Sequence, residues 1–439
     1  MGGLSIAGAP SLRLPGQHFA AALLFLGVGS IGLVWIAPEL AAGLYLSPHV
    51  AGVTHCFTLG WLTMTIFGAL YQLLPVALRV PIRSERLGHV SFWTFAPGVA
   101  LFATGVATSS LVLYHAGIVL VSTGILCLVI NVALSLRRVP VRDVIWAAVA
   151  IALTFLTLTL VLGVALVHNL HTSFLGEWRV LVLVTHLHVA LIGWVLMMIV
   201  GISHRLLPMF LLAHGVDTRW TGRALALLAG GVVALTSGLV TQQGPVHVAL
   251  SWTGLTLIEV GVVCFLRQAA LFYAARKRPR LDAGLRHAVV ALMFLTVSAA
   301  LAPIVMIMGV DHQRLDTAYV ILGLLGGLVL YAVGQFYKIV PFLAWMSRFR
   351  NDMGRKRVPT VAELYSPLVA HIGLALFTIA IAVLVLGVAM STAVVVRVAA
   401  VLFVAGAVLF ISQITRVALG TSFGGASKAS VTYSTGALA

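Results

Sequence analysis

The chain has 439 residues, of which 61% are hydrophobic and only 9% are charged, and its mean hydropathy is +1.10. A water-soluble fold has too little interior to hide that much apolar surface, so the composition excludes a soluble globular protein and favours an integral membrane protein. The formal net charge of +16 would suit nucleic-acid binding if the cations formed one surface, but they alternate from loop to loop along the chain.

Twelve segments of the chain are long and apolar enough to cross the membrane, because about 20 apolar residues span roughly 30 Å of hydrocarbon. They are residues 19–39, 52–76, 91–112, 114–135, 144–167, 184–210, 222–240, 246–266, 287–308, 319–342, 368–388 and 392–413. The first follows Arg13 and has no cleavage site of small residues after it, so we expect an uncleaved helix. We predict an all-α membrane domain over residues 1–419 and a flexible cytoplasmic tail, rich in Gly, Ser, Thr and Ala, over residues 420–439.

The positions of the cations predict the orientation of the chain in the membrane. Those that follow the even-numbered spans are Arg79, Arg83, Arg86, Arg137, Arg138, Arg142, Arg219, Arg223, the group at 276–280, Arg348, Arg350, Arg355, Lys356 and Arg357. The opposite loops contain only Arg179, Arg314 and Arg397. Because cytoplasmic loops carry the excess of Lys and Arg, both termini are expected in the cytoplasm. We predict a multi-pass protein of the inner (cytoplasmic) membrane with no nucleic-acid partner.

Three of the spans share a sequence pattern. HCFTLGWLTMTIFGALYQLLP, from His55 to Pro75, aligns without a gap with HVALIGWVLMMIVGISHRLLP, from His188 to Pro208, at an offset of 133 residues. The tenth span aligns at the same offset again, so spans 52–76, 184–210 and 319–342 are equivalent. The shared residues are Gly60, Gly193 and Gly326; Gly68, Gly201 and Gly334; and Pro75, Pro208 and Pro341.

This pattern predicts three pseudo-symmetric four-helix repeats. The glycines would allow close helix approach, and each proline is expected to close its span at the cytoplasmic end. His55 and His188 occupy equivalent positions, but the third copy has Ile321.

Nine of the fifteen histidines lie near the predicted outer face. A histidine within a span is costly unless it is hydrogen-bonded or ligates a metal, so these are candidate ligands. They are His49, His55, His115, His168, His171, His186, His188, His247 and His312. Interfacial hydrogen bonding is the alternative for each of them.

Spacing separates these candidates further. His186 and His188 are two residues apart, so on a helix they point to different sides and would face different sites. His168 and His171 are three apart and share a helical face, a spacing that can support a metal or an interfacial polar cap. His115 and His247 begin the fourth and eighth spans, where hydrogen bonding is favoured over ligation.

Two charged residues are further candidates. If the outer histidines bind a heme, Arg397, at the outer start of the last span, could pair with one of its propionates. The alternative is that its side chain simply extends to the membrane interface. Glu259 is the one acid predicted deep within a span, where it could carry protons or form a hydrogen bond between helices.

The histidine-bearing spans resemble those of a known superfamily. THCFTLGWLTMTIFGALYQLLP resembles the low-spin heme helix of heme-copper oxidase subunit I, especially in the cbb-type oxidase and nitric oxide reductase branches. THLHVALIGWVLMMIVGISHRLLP resembles the sixth helix of that subunit, which supplies a ligand to the active-site metal. The resemblance implies that His55 is an axial ligand of a b-type heme and that His186 or His188 faces a second metal centre.

The chain also departs from that superfamily. The family's seventh helix carries two adjacent histidines and its tenth helix supplies heme ligands, but here RALALLAGGVVALTSGLV has no histidine. AYVILGLLGGLVLYAVGQFY also has no histidine, and Tyr319 is the nearest candidate ligand there. The resemblance therefore implies a divergent relative without the standard binuclear oxygen-reducing centre, similar to the short heme- and copper-containing membrane proteins of nitric oxide metabolism.

The leading functional hypothesis is a membrane metalloprotein that binds b-type heme, with or without copper, near the outer face. It would serve electron transfer or redox chemistry of nitric oxide or oxygen, with a quinol or a periplasmic cytochrome as partner. The alternatives are a copper or small-solute transporter and a non-catalytic subunit of a redox complex. Whether the protein is an enzyme stays open, with oxidoreductase as the expected class.

Overall fold

The structure, a computed structural model, describes residues 11–241, 244–309, 312–355 and 357–421. Within these ranges the chain is helical, without strands, and has twelve helices long and apolar enough to cross a membrane. These spans are Arg13–Trp35, Pro48–Leu78, Glu85–Ala107, Leu111–Leu136, Val144–Thr172, Trp178–Leu211, Arg219–Thr241, Gly244–Ala274, Ala283–Met308, Gln313–Asp352, Pro367–Ala389 and Ala393–Leu419. The number of spans predicted from the sequence is confirmed.

Parts of two predictions fall outside the described ranges. Only the first two residues of the predicted tail, at 420 and 421, are described, and Lys356 of the basic loops is not. Most helices extend past their predicted bounds because polar ends continue beyond the apolar stretch. The tenth span, predicted over 319–342, runs from Gln313 to Asp352.

Side-chain caps define where several spans begin. Asp143 accepts hydrogen bonds from the main-chain N–H groups of Ile145 and Trp146 at 3.0 and 2.9 Å. Ser84, Asp282 and Ser366 cap the third, ninth and eleventh spans in the same way. These oxygens satisfy N–H groups that have no partner within the helix, which fixes the start of each span.

The second, sixth and tenth spans each contain one π-helical segment. These segments are Cys56–Thr63, Val189–Leu196 and Leu322–Val329, so successive segments begin 133 residues apart. His55 and His188 each directly precede a π-helical segment. A π-helical turn inserts an extra residue, which changes the direction of the side chains before and after it and often marks a functional site.

The three prolines lie inside their helices rather than at the ends. The second span continues past Pro75 to Leu78, and the tenth continues well past Pro341. The expectation that each proline closes its span is therefore wrong. A proline removes only one main-chain donor, and packing by neighbouring helices keeps the helix continuous.

The repeated glycines allow close packing against the first span of each predicted unit. A Cβ added at Gly193 would lie 2.6 Å from Cγ of Phe155, and one at Gly326 would lie 2.7 Å from Cβ of Phe294. Gly60 has the same relationship to Phe25. Any residue larger than glycine at these three positions would therefore overlap the neighbouring phenylalanine.

Two buried tryptophans link the second, sixth and tenth spans. Nε1 of Trp61 donates to the carbonyl of Val329 at 3.4 Å, and Nε1 of Trp194 donates to Oγ1 of Thr63 at 3.1 Å. Thr63 and Val329 are equivalent positions at an offset of twice 133 residues. The third copy has Gly327 in place of tryptophan, so it has no indole to make the corresponding bond.

Candidate functional site

The two ends of the helix bundle differ in their residues. Successive spans are joined by short connections and run in opposite directions, so the arginine-rich loops gather at one end, here called the basic end. The opposite end, here called the histidine end, contains His55, His186 and the other histidines of the predicted outer face.

A cavity of about 410 Å³ lies at the histidine end and is lined by the first six spans and the tenth. Most of its lining is aliphatic or aromatic. The residues that bear on its chemistry are His55, His186, Tyr114, Tyr45 and Arg179. Two of the ligands predicted from the sequence, His55 and His186, therefore line the same apolar cavity.

His55 is held in place by its own helix. Its Nδ1 donates to the carbonyl of Ala51 at 2.7 Å, and its ring meets Phe102 edge-on at 4.9 Å between centroids. A carbonyl oxygen can only accept, so Nδ1 carries the proton and Nε2 keeps its lone pair. Metal-bound histidines commonly have this arrangement.

His186 is oriented by the neighbouring fifth span. Its Nδ1 donates to the carbonyl of Thr159 at 3.1 Å, which leaves Nε2 with its lone pair. A Cβ added at Gly163 would lie 3.2 Å from Cε1 of His186, so the missing side chain makes room for the ring. His186 and His55 are thus half-buried imidazoles on two walls of the same cavity.

The wall formed by the tenth span is apolar except for Thr317. Ile321, at the position equivalent to His55 and His188, lines the cavity together with Leu324 and Leu325. Tyr319, the tyrosine of this span considered as a ligand, is not part of the lining, and its carbonyl accepts from Oγ of Ser298. The imidazoles that line the cavity therefore come from the second and sixth spans.

The outer edge of the cavity carries polar groups. Arg179, at the start of the sixth span, is exposed and lines the cavity. Burial, together with the nearby Asp316 carboxylate, raises the pKa of Tyr45, so its phenol stays protonated and can donate a hydrogen bond. Arg397 is exposed at the start of the twelfth span and does not line the cavity. The sequence alone identifies Arg179 only as an outer cation.

The other predicted ligands lie away from the cavity. Nδ1 of His188 donates to the carbonyl of Val184 at 2.8 Å on its own helix, and His188 does not line the cavity. His186 and His188 therefore have different surroundings, as their spacing suggests. His247 donates from Nδ1 to the carbonyl of Gly238 at 2.8 Å, at the end of the seventh span.

The rings of His168 and His171 have different aromatic neighbours. His168 is exposed and packs against Phe174 at 5.2 Å between ring centroids, whereas His171 lies 6.4 Å from the ring of His115. Glu259 is half-buried in the eighth span and is not part of the cavity lining. Among the described residues, no group of three or more His, Cys, Asp or Glu side chains could hold a metal ion.

Two fully buried histidines, His18 and His287, lie at the basic end. Nδ1 of His18 donates to Leu14 and Nδ1 of His287 to Ala283, each at 2.7 Å, and within the described chain neither Nε2 has a partner. The signal in the sequence that could identify them is their position 269 residues apart, about two repeat lengths.

Comparison with known proteins agrees with this architecture. No protein-family model matches the chain, and no curated protein matches it. A heme-copper terminal oxidase dimer solved by cryo-EM is similar, with a TM-score of 0.68 and 10% sequence identity over 93% of this chain and 85% of that chain. The chain has a heme-copper oxidase subunit I-like fold. It is a multi-pass membrane protein whose spans contact lipid. At this identity the likeness concerns the fold alone.

Proposed function

We propose that this protein is a membrane redox protein that holds a b-type heme in the cavity at the histidine end, between His55 and His186. The observation that carries the proposal is that both imidazoles line one apolar cavity while their Nδ1 atoms donate to main-chain carbonyls. That arrangement leaves Nε2 of each ring available to bind the heme iron.

The cavity fits such a group in three ways. Its volume of about 410 Å³ falls within the range of about 300–1,000 Å³ typical of cofactor sites. Its aliphatic and aromatic lining suits the faces of a porphyrin. Arg179 at the edge supplies a cation for the propionates, so we favour Arg179 over Arg397 for that role.

The residues of the chain would have distinct tasks around the group. A bound heme would supply one-electron redox chemistry. His55 and His186 would bind its iron, with their ring orientations fixed by Ala51 and Thr159. The apolar wall around Ile321 would exclude water from one edge of the site. Because His55 and His186, from separate spans, would both hold the iron, we favour electron transfer over oxygen reduction.

We infer an orientation and an internal symmetry that suit this role. The arginine-rich basic end would face the cytoplasm, with both termini there, and the histidine end would face the outside of the inner membrane. The three π-helical segments spaced by 133 residues support three four-helix repeats. The site near the outer face would exchange electrons with a quinol or a periplasmic cytochrome. Copper would occupy a separate position.

Absorption spectroscopy tests the heme proposal. The full chain, expressed with sufficient heme and purified in detergent, is expected to show a Soret band, and its pyridine hemochrome spectrum is expected to be that of heme b. His55→Ala and His186→Ala should each weaken or shift the band. His188→Ala is the matched control, because His188 lies on the same helix as His186 but not on the cavity.

Two results would contradict the proposal. A heme-free protein after heme-replete expression would remove it, and bound copper in such a protein would favour the transport hypothesis. Loss of heme only in His188→Ala would show that the heme lies at another part of the sixth span, outside this cavity.

A further inference from the structure

We propose a second, separate metal site at the surface of the histidine end, formed by His115 and His171. His115 lies in the first turns of the fourth span and His171 lies in the last turn of the fifth. These spans are neighbours, and the two rings are 6.4 Å apart between centroids at an interplanar angle of 86°. The ligand we propose is a copper ion, and the site does not depend on the heme proposal.

The separation of the rings suits a shared ion. When two imidazoles bind one ion, their ring centroids lie roughly 5–6.4 Å apart, depending on the N–metal–N angle. This range follows from a metal–nitrogen bond of about 2.0–2.1 Å and a nitrogen-to-centroid distance of about 1.1 Å. The observed 6.4 Å is the upper end of that range. Small side-chain rotations at two surface positions would therefore close the site around an ion.

Both rings have a nitrogen available for the ion. Nδ1 of His115 donates to the carbonyl of Leu111 at 2.8 Å, so Nε2 keeps its lone pair. Tyr114 packs against the His115 ring at 4.6 Å and restricts its movement. His171 is exposed and makes no hydrogen bond through its ring within the described chain, so either of its nitrogens can bind the ion.

The donor set indicates the class of metal. Two imidazoles suit copper, zinc and nickel, whereas Mg²⁺ and Ca²⁺ require oxygen ligands. No His, Cys, Asp or Glu of the described chain forms a group of three with this pair. Water would complete the coordination. Cu²⁺ has the highest affinity for such donors among the divalent first-row ions, so at equal concentrations it would bind to a two-imidazole site more tightly than Zn²⁺ or Ni²⁺.

The position of the pair separates it from the heme cavity. Tyr114, the residue before His115, lines the cavity, but His115 and His171 do not. A copper ion held here would lie at the surface beside the cavity wall.

Copper titration of the purified full chain tests the site. Wild-type protein is titrated with Cu²⁺, the bound metal is counted after removal of excess ion, and frozen-solution electron paramagnetic resonance reports nitrogen ligands. We expect His115→Ala and His171→Ala each to lose one bound Cu²⁺ or to bind it at least tenfold more weakly. The double variant should lose no more than either single variant, because both residues serve one ion.

His168→Ala is the matched control. His168 is an exposed histidine one turn from His171 on the same helix, and its ring packs on Phe174 instead. We expect this variant to keep the wild-type stoichiometry and spectrum. Equal copper binding in His115→Ala, His171→Ala and wild type would overturn the site, as would an equal loss in His168→Ala.

Further measurements keep this test independent of folding and of heme. Glutamine replacements at positions 115 and 171 preserve polarity and should lose the same ion, and size-exclusion elution should match the wild type. The heme absorption should be unchanged in these variants, whereas His55→Ala should keep the copper ion.

Discussion

His186 donates a hydrogen bond from Nδ1 to the carbonyl of Thr159 at 3.1 Å, so a residue of the fifth span orients a histidine of the sixth. The ring also occupies the space left by Gly163, where a Cβ would lie 3.2 Å from its Cε1. The orientation of the proposed heme ligand therefore depends on two small features of a neighbouring helix.

The first prediction concerns the contact between Gly163 and the His186 ring. Gly163→Val should displace the His186 ring, lower heme retention severalfold and shift the Soret band, because the added carbons compete with the imidazole for one position. Heme titration followed by absorption measures both effects. Gly222→Val is the control, since nothing lies within 4 Å of a Cβ there. Equal heme binding in both variants would refute the role of this contact.

Arg179 makes the second prediction. Arg179→Gln should weaken heme retention by about two- to fivefold, the range expected for an exposed charge pair worth up to about 1 kcal/mol. Competition for bound heme by apomyoglobin measures the change. Arg397→Gln, which alters an exposed arginine away from the cavity, should leave retention unchanged. The reverse result would assign the propionates to Arg397.

Thr63 makes the third prediction. Thr63→Val removes the acceptor of the Trp194 indole but keeps the shape of the side chain. A buried N–H without a partner costs about 1–3 kcal/mol, so the apparent melting temperature in detergent should fall. In the control Thr157→Val, the lost hydroxyl donates only to Leu153 of its own helix, so a much smaller change is expected. Equal melting temperatures for all three proteins would show that the indole bond contributes nothing.

The packing of Phe155 on Gly193 makes the fourth prediction. Gly193→Ala should destabilise the protein by about 1–3 kcal/mol, because its Cβ would overlap the ring and the helices would have to separate. Thermal unfolding measures the loss, and adding Phe155→Leu should restore part of it. Gly230→Ala is the control, because the nearest atom to a Cβ there is 4.0 Å away. No loss in Gly193→Ala would contradict the close approach of the two spans.

The spans and the histidine candidates can be predicted from the sequence because both depend on the cost of polar groups in lipid. The length of each apolar stretch identifies a helix, and an imidazole in such a stretch needs a partner. His55 and His186 are therefore candidates from their positions in the chain alone. The close approach at Gly193 is likewise expected from the repeated glycines.

What the sequence does not predict depends on how helices are rotated against each other. Spacing along one helix separates His186 from His188, but it does not say which of them faces His55. It also favours His168 as the partner of His171, whereas the structure places His115 beside that residue. Contacts between spans depend on tertiary packing, which no spacing within one helix reports.

The ion pair of Asp282 and Lys338 at the basic end makes the last prediction. The two side chains are 25% and 11% exposed, and the carboxylate also caps the ninth span by accepting from Leu285 at 3.1 Å. Asp282→Asn should keep the cap, since asparagine caps helices as well as aspartate, and should remove only the negative charge. The Lys338 ammonium would then be mostly buried without its counter-charge.

Breaking a fully buried pair costs about 3–5 kcal/mol, so we expect roughly 2 kcal/mol for this partly exposed one, seen as a lower apparent melting temperature. Adding Lys338→Met should recover most of that loss, because the unpaired charge is then absent. The control is Asp217→Asn, whose partner Arg219 is 64% exposed, so the apparent melting temperature of that variant should match the wild type. A double variant no more stable than Asp282→Asn would mean that the asparagine disturbs the helix start and that the charge is not the cause.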